Sequence, residues 1–436
     1  MSETIRVGLL GCGTVGTGVL RILAENRADI VARLGTPIEV VRILVRDGDR
    51  VRDPAVPRHL LTTDPDVLFA ADTHIIVEAL GGYEPARSLI LRALASGHHV
   101  VTANKALLAR HGAEIFRAAD EAERDVIFEA SVGGGIPIIR TLREGLAADR
   151  IRSVRAIING TTNYMLTGMA QRGAAYADVL AEAQAKGYAE ADPRMDVGGL
   201  DAAQKLAILI SVSFGVDIPF DTIRTEGIER LTPLDFAVAR QFGYAVKPLA
   251  LARAHADGRI EARVAPTLVP SGSLLAHVNG VFNAVMVDAH ALGPMVFYGQ
   301  GAGMMPTAAA VVSDIIELGR DIELGTSGRL PHLAFYKELV PHRALQDPDD
   351  AECPVYLRFT VRDVPGVIAQ ITTILGAHGI SIRRMVQEQS EPGESVPVVL
   401  LTHSAREGAV RAALHRIDRL PFVTEKTCLL RVEDIP

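Results

Sequence analysis

The stretch Gly11-Cys12-Gly13-Thr14-Val15-Gly16 constrains this chain more than any other, because it begins where an apolar run, 5–10, stops and a helical pattern starts. A lone G-x-G-x-x-G is a common accident of glycine-rich loops. The same spacing between a strand and a helix is the setting in which a backbone turn wraps a pyrophosphate. Gly11 permits the tight turn, Gly13 lets the backbone approach the phosphates, and Gly16 lets helix and strand pack closely. The free N–H groups at the helix start, from Thr14, Val15 and Gly16, then face the phosphate charge with the helix dipole behind them. Cys12 is the unusual residue, and its small side chain fits such a loop.

The next hundred residues continue the pattern. Helical periodicity covers 15–32, 84–95 and 106–123, and strand-like runs cover 38–45, 74–79, 99–102 and 126–129. Buried strands alternating with helices predict βαβ units and a parallel sheet covered on both faces. The second strand ends Leu44-Val45-Arg46-Asp47. A cation there suits the 2′-phosphate of NADP, and a carboxylate suits the ribose hydroxyl of NAD. Arg46 favours NADP, and Asp47 leaves NAD open.

The chain divides by composition into 1–130, the dinucleotide-binding domain, completed by a segment near 300–320; 131–320, a catalytic and dimerisation domain; 321–352, a linker; and 353–436. The second block has helices at 176–186 and 199–214 and strand-like runs at 151–158, 247–254, 274–278 and 283–288. The third reads as strand 355–361, helix 367–378, strand 380–386, a Glu391-Pro392-Gly393-Glu394 turn, strand 396–402, helix 407–417 and strand 423–432. That β-α-β-β-α-β order is ferredoxin-like. The expected class is therefore α/β: a Rossmann-type doubly wound parallel sheet, an α+β domain, and a small ferredoxin-like domain.

Charge and cysteine usage narrow the setting. A net charge of −7 without blocks of like sign gives no reason to expect nucleic acid or a membrane as partner. Cys12, Cys353 and Cys428 form no CxxC pair, the start Met-Ser-Glu-Thr lacks a signal-peptide pattern, and no apolar run reaches the ~18 residues of a membrane span. A reducing cytoplasm is the expectation.

The chemistry concentrates in 187–205, Gly-Tyr-Ala-Glu-Ala-Asp-Pro-Arg-Met-Asp-Val-Gly-Gly-Leu-Asp-Ala-Ala-Gln-Lys. Glu190, Asp192, Asp196 and Asp201 are followed by Lys205, one helical turn beyond Asp201 and on the same face. A surface i,i+4 ion pair fits most such sequences. Here the helix runs on as Leu-Ala-Ile-Leu-Ile, too apolar for a surface, so Lys205 is expected to point into a cleft. A divalent-metal cluster of Asp192, Asp196 and Asp201 is the other reading, and no His joins them at ligand spacing. Lys105, just beyond a strand in Val101-Thr102-Ala103-Asn104-Lys105, stands where ligands of open α/β sheets bind. Residues 129–137 and 159–163 supply backbone and hydroxyl groups, and Gly299-Gln300-Gly301-Ala302-Gly303 before a helix makes another anion-facing turn.

Together, 187–205, Asn104-Lys105 and Asn159-Gly160-Thr161-Thr162-Asn163 resemble homoserine dehydrogenase, over about residues 4–320 and with no departure at these positions. The resemblance implies reversible NAD(P)-dependent oxidation of L-homoserine to L-aspartate 4-semialdehyde, in the biosynthesis of threonine, methionine and isoleucine. It implies Lys205 as the acid/base at the C4 oxygen, with Lys105 between substrate and cofactor. It also implies a substrate site of Glu190 and Asp201, with Asp196 and Gly187 beside them, and Gly303 on the cofactor side. Glu129 and the carbonyls of Val132, Gly134 and Ile136 resemble the family's monovalent cation site, for sodium. Residues 355–432, with Asp363-Val364-Pro365-Gly366 turning into a helix, resemble an ACT domain. That implies amino-acid feedback, most often by L-threonine, or a dimerisation role alone, and by analogy a homo-oligomer, dimer or tetramer.

Residue chemistry supports the same reading. Taking a proton from an alcohol during hydride transfer needs a base tuned near the working pH. A lysine is tuned by burial or a second cation, and Lys105 is the candidate. An acylating semialdehyde dehydrogenase needs a nucleophilic cysteine, and none lies between Gly13 and Glu352. A dehydrogenase for another hydroxy amino acid and a non-catalytic dinucleotide sensor remain as rivals, although a sensor has no use for the Asp201/Lys205 helix.

Overall fold

The computed structural model describes residues 4–387 and 395–435. Its first layer holds β1 (Ile5–Leu10), α1 (Thr14–Glu25), α2 (Arg27–Leu34), β2 (Ile38–Leu44), β3 (Leu61–Thr62), α3 (Pro65–Phe69), β4 (Ile75–Glu78), α4 (Ala86–Ala95), β5 (His99–Thr102), α5 (Lys105–Ala122) and β6 (Val126–Ile127). The strands lie in the order β3-β2-β1-β4-β5-β6, all parallel. Val7, Leu9 and Val77 enter one buried cluster, and Leu10, Ile76 and Val100 the other. Both faces are thus covered, as near-continuous apolar strands require. Strand order reverses between β1 and β4, and ligands bind at the carboxyl ends of strands at such a point.

Most ends shift by a residue or two, and two elements differ from the sequence reading for a local reason. The helix expected over 15–32 is two helices, because Asn26 leaves helical geometry (φ −104°, ψ 18°) and closes α1 while opening α2; asparagine competes with the helix through its own side chain. The strand expected over 126–129 stops at Ile127, since the backbone N–H of Glu129 donates to the Asp314 carboxylate at 2.9 Å and a short 3₁₀ turn follows.

The second region contains α6 (Ile138–Arg140), β7 (Ile151–Ile157), α7 (Gly160–Arg172), α8 (Tyr176–Ala185), α9 (Arg194–Val197), α10 (Leu200–Phe214), β8 (Arg224–Thr225), α11 (Pro233–Gln241), β9 (Tyr244–Ala254), β10 (Ile260–Pro270), β11 (Phe282–Ala289), β12 (Gly293–Gln300) and α12 (Met304–Leu324). The run 274–278 is a 3₁₀ turn over Leu274–His277, capped by the Ser273 hydroxyl, and not a strand. Helix α12 returns to the first layer and packs on α1, where a Cβ at Gly18 would stand 2.8 Å from Ala308. No helix among the described residues is long and apolar enough to cross a membrane.

The last region contains β13 (Glu352–Cys353), β14 (Val355–Arg362), α13 (Val367–Ala377), β15 (Ile382–Gln387), β16 (Ser395–Thr402), β17 (Ala405–Arg406), α14 (Glu407–Ile417) and β18 (Val423–Val432). The sheet order β18-β14-β16-β15 is the ferredoxin-like one; the Glu391–Glu394 turn lies outside the described residues. Strand β18 also pairs in parallel with β10, Thr267 opposite Arg431 and Leu268 opposite Val432. One ten-stranded sheet therefore runs through the second and third regions. Buried ions tie the seam further. Asp235 of α11, fully buried, accepts from Tyr356 Oη at 2.7 Å and Arg358 Nε at 2.8 Å.

Candidate functional site

Lys105 is placed by its neighbours. The Glu78 carboxylate, fully buried at the end of β4, accepts from Leu80 N (2.8 Å), Gly81 N (3.0 Å) and Thr102 Oγ1 (2.6 Å). Asn104 donates to Gly82 O at 2.7 Å and caps α5 by accepting from Leu107 N at 3.1 Å. Lys105 is thereby the first residue of α5, and its Nζ reaches Asp201 Oδ1 at 3.2 Å.

Asp201 lies in the first turn of α10, which starts after Gly199 in the left-handed region. One turn on, Lys205 Nζ donates to Asp201 Oδ2 at 2.6 Å and to the Ile158 carbonyl at 2.7 Å. Ile158 directly follows β7. Asn159 then caps α7 and sends its amide to Asp201 Oδ2 (3.0 Å) and Asp196 Oδ1 (2.7 Å). The Lys205 side chain is 12% exposed, within a helix whose other residues after Leu200 are buried. Two ammoniums thus share one carboxylate, and one amide joins a second carboxylate to it. Burial opposes the charge on Asp201, but the charges of Lys205 and Lys105 and the hydrogen bonds from Lys205 and Asn159 outweigh it and hold the carboxyl down at about 2. Burial and the neighbouring Asp201 charge push Asp196 up, against the Asn159 amide and the two lysines.

Other candidates stand further out. The Glu190 side chain is exposed and has no hydrogen-bond or ion-pair partner among the described residues, while its carbonyl accepts from Gln184. Gly187 closes α8 in the left-handed region. Thr161 Oγ1 donates to Tyr188 O at 2.6 Å and docks this stretch on the start of α7. Asp192 pairs with exposed Arg194, away from Asp196 and Asp201, and no group of three or more His, Cys, Asp or Glu able to hold a metal occurs among the described residues.

At the glycine loop, Gly11 has φ +95° and a Cβ at Gly16 would stand 2.6 Å from Gly11 O, whereas nothing lies within 4 Å of one at Gly13. The bond from Thr17 N to Gly13 O opens α1, so the N–H groups of Thr14, Val15 and Gly16 precede its ladder. The Cys12 thiol is pushed up by burial. Arg46 is exposed just past β2. Asp47 is engaged locally, accepting from Asp49 N (2.9 Å) and Arg50 N (3.2 Å), while Arg52 donates to the carbonyls of Asp47, Gly48 and Arg50. Arg50 and Arg52 were not singled out in the sequence; four arginines between 42 and 52 were the available signal.

Gly303, with φ +125°, precedes α12, and its loop packs on 133–135 through Gly135 N to Gln300 O at 3.1 Å. The Glu129 carboxylate accepts from Ile139 N (2.8 Å) and Arg140 N (2.7 Å). Burial pushes Glu129 up and Asp314 well up, the latter also through the charge of Glu129. Glu129, Asp314 and Glu317 surround Arg140 as the one cation they share among the described residues. The charge on the buried Glu129 carboxylate is one that a single monovalent cation beside it would offset.

Comparison with known proteins identifies relatives along the whole chain. The family model "Homoserine dehydrogenase, NAD binding domain" matches residues 11–129, "Homoserine dehydrogenase" matches 137–316, and "ACT domain" matches 355–419. The chain is 44% identical to the homoserine dehydrogenase of Pseudomonas aeruginosa, covering 99% of this chain and 100% of that one, and 39% identical to that of Bacillus subtilis, covering 99% of each. A solved homoserine dehydrogenase of Thiobacillus denitrificans superposes with a TM-score of 0.93 at 46% identity, covering 99% of each chain. One from S. aureus gives 0.76 at 32% identity, covering 99% of this chain and 100% of that one.

Proposed function

The chain belongs to the homoserine dehydrogenase family, and from that premise we propose that it interconverts L-homoserine and L-aspartate 4-semialdehyde with NADP(H), Lys205 serving as the acid/base. The observation that carries the reading is the pair of lysines meeting on Asp201 across the ends of β5 and β7. A nicotinamide held by the glycine loop would supply the hydride acceptor or donor for substrate C4. Lys205 Nζ takes the C4 hydroxyl proton in oxidation and returns it in reduction. Asp201, ionised throughout the working range, orients Lys205 and with Glu190 binds the amino and hydroxyl ends of homoserine, Asp196 standing beside them. Lys105 lies between substrate and cofactor. Gly187 shapes the turn that carries Glu190.

Gly11, Gly13, Thr14, Val15 and Gly16 hold the pyrophosphate, with Gly303 on the opposite side. Asp47 is already hydrogen-bonded within its own loop, which supports Arg46 as a 2′-phosphate contact and NADP over NAD. Arg46→Ala should raise KM for NADP(H) about tenfold, the loss of one charge-assisted bond worth about 1.4 kcal/mol, and leave KM for NAD(H) near its starting value. Equal shifts for the two cofactors would remove Arg46 from the site. Glu129, with the carbonyls of Val132, Gly134 and Ile136, would hold a sodium ion, which supplies positive charge among buried carboxylates. L-threonine is the effector we assign to the ACT domain, with the enzyme working as a cytoplasmic dimer or tetramer in threonine, methionine and isoleucine biosynthesis.

The deciding assay follows NADP(H) and NAD(H) absorbance with L-homoserine or L-aspartate 4-semialdehyde, with and without L-threonine. Turnover suppressed by threonine supports both assignments. Turnover indifferent to threonine keeps the enzyme and gives the ACT domain another effector or a dimerisation role. Absence of turnover with either cofactor overturns the reading.

A further inference from the structure

The chain does not end at the edge of the C-terminal sheet. Beyond Val432 the backbone stays on β10, Glu433 N donating to Leu268 O at 2.9 Å. The Glu433 side chain, 3% exposed, enters a cluster of three guanidiniums, one from each neighbouring strand. They are Arg155 of β7 at 2.9 Å, Arg263 of β10 at 2.9 Å, and Arg253 of β9. Two residues later Ile435 is buried beside Ile157, Leu249 and Val269.

Side chains alternate along a strand. Arg155 and Ile157 therefore face the tail, while Val154, Ala156 and Ile158 enter the core formed with α10. The tail lies on one face of β7 and Lys205 on the other, with the end of β7 between them. That end supplies the Ile158 carbonyl that receives Lys205 Nζ and the Asn159 amide that holds Asp196 and Asp201. On the far side, β18 carries Arg431, bound to Glu407 at the start of α14. A shift of the C-terminal unit is thus a shift of Glu433.

We infer that the tail Glu433–Ile435 positions the acid/base, Glu433 anchoring Arg155 and thereby the end of β7, so that the state of the ACT domain reaches Lys205 along this route. Glu433 touches no substrate and is a positioning residue. The inference rests on the reading of Lys205 as acid/base, and its test separates the two.

Full-length Glu433→Gln, Glu433→Asp and Ile435→Ala proteins are compared with the starting chain in two measurements. The first is steady-state kinetics with L-homoserine and NADP. The second, made without substrate, is the rate at which an amine-reactive ester acylates Lys205 relative to exposed Lys186, read by peptide mass spectrometry. Glu433→Gln should lower kcat about tenfold through misplacement of the reacting groups, with the nucleotide KM unchanged. Its Lys205 should be acylated severalfold faster relative to Lys186, and Glu433→Asp should recover much of both effects. Ile435→Ala keeps the ionic cluster and should show the same pattern more weakly, which serves if Glu433→Gln does not fold. Unchanged kcat and labelling would overturn the inference. So would a uniform loss of kcat, nucleotide affinity and lysine protection, which marks a merely structural role. A Lys205 labelling shift in a protein that turns over no homoserine would discard the activity while leaving the mechanical link standing.

Discussion

Replacing Lys205 by alanine should lower kcat by about 10²–10⁴, the usual worth of a general acid–base group, and leave nucleotide affinity near its starting value. The separation follows from where the side chain sits. Lys205 Nζ bonds only to Asp201 and the Ile158 carbonyl among the described residues, whereas the glycine loop lies at the end of β1. Asp201 keeps Lys105 and the Asn159 amide after the substitution, so the truncation does not leave an uncompensated buried carboxylate. Lys205→Met, which fills the same space without the ammonium, should match the alanine variant in kcat. Steady-state rates and NADPH fluorescence titration read the two quantities. A parallel fall in nucleotide binding would remove the acid/base assignment, because the residue would then be holding the cofactor or the fold.

Most of what positions this site was legible because it depends on local sequence. The turn at Gly11–Gly16 announces itself by spacing, and Asp201 with Lys205 by one helical turn on an apolar helix. Glu78 was not legible. It reads as an ordinary strand-end charge, and only folding shows it tying two loops and Asn104 together from full burial. Strand β10 was missed for a related reason. Glu261 and Arg263 break its apolar run, and their partners Arg253 and Glu433 lie 8 and 170 residues away. Charges on alternate positions suggest a solvated face until such partners are known, and the same ambiguity hid the continuity of the two sheets. Asn159 was read as part of a loop of donors. Its capping of α7 shows why a motif rich in small polar residues ends up as a helix start with one amide aimed at two carboxylates.

Arg431→Met should lower the stability of the folded chain by about 3–5 kcal/mol at neutral pH, the range for breaking one member of a buried ion cluster. Arg431 is 1% exposed and bonds Glu226 on the segment after β8 and Glu407 on α14, with contacts of 2.5–2.9 Å. Methionine keeps the apolar stem but leaves those carboxylates with Arg411 and Arg224 as their remaining cations. Acid separates charge from packing. Burial opposes ionisation of Glu226, yet Arg431 and Arg411 hold its carboxyl at about 2, below its ordinary 4.5; Glu407 is lowered by the same partners against the same burial. A depressed folded-state pKa contributes stability that is fully present above the ordinary value and lost as pH falls from there through the folded one. For Glu226 that contribution is about 2–3 kcal/mol after discounting for partial exposure. The difference between the original chain and Arg431→Met, measured by urea unfolding, should therefore be largest near pH 6 and shrink toward pH 3, as Glu226 and Glu407 take up protons in the unfolded chain while Arg431 still holds them ionised in the folded one. A difference constant over that range would mean that Arg431 acts at the seam through its shape and not its charge.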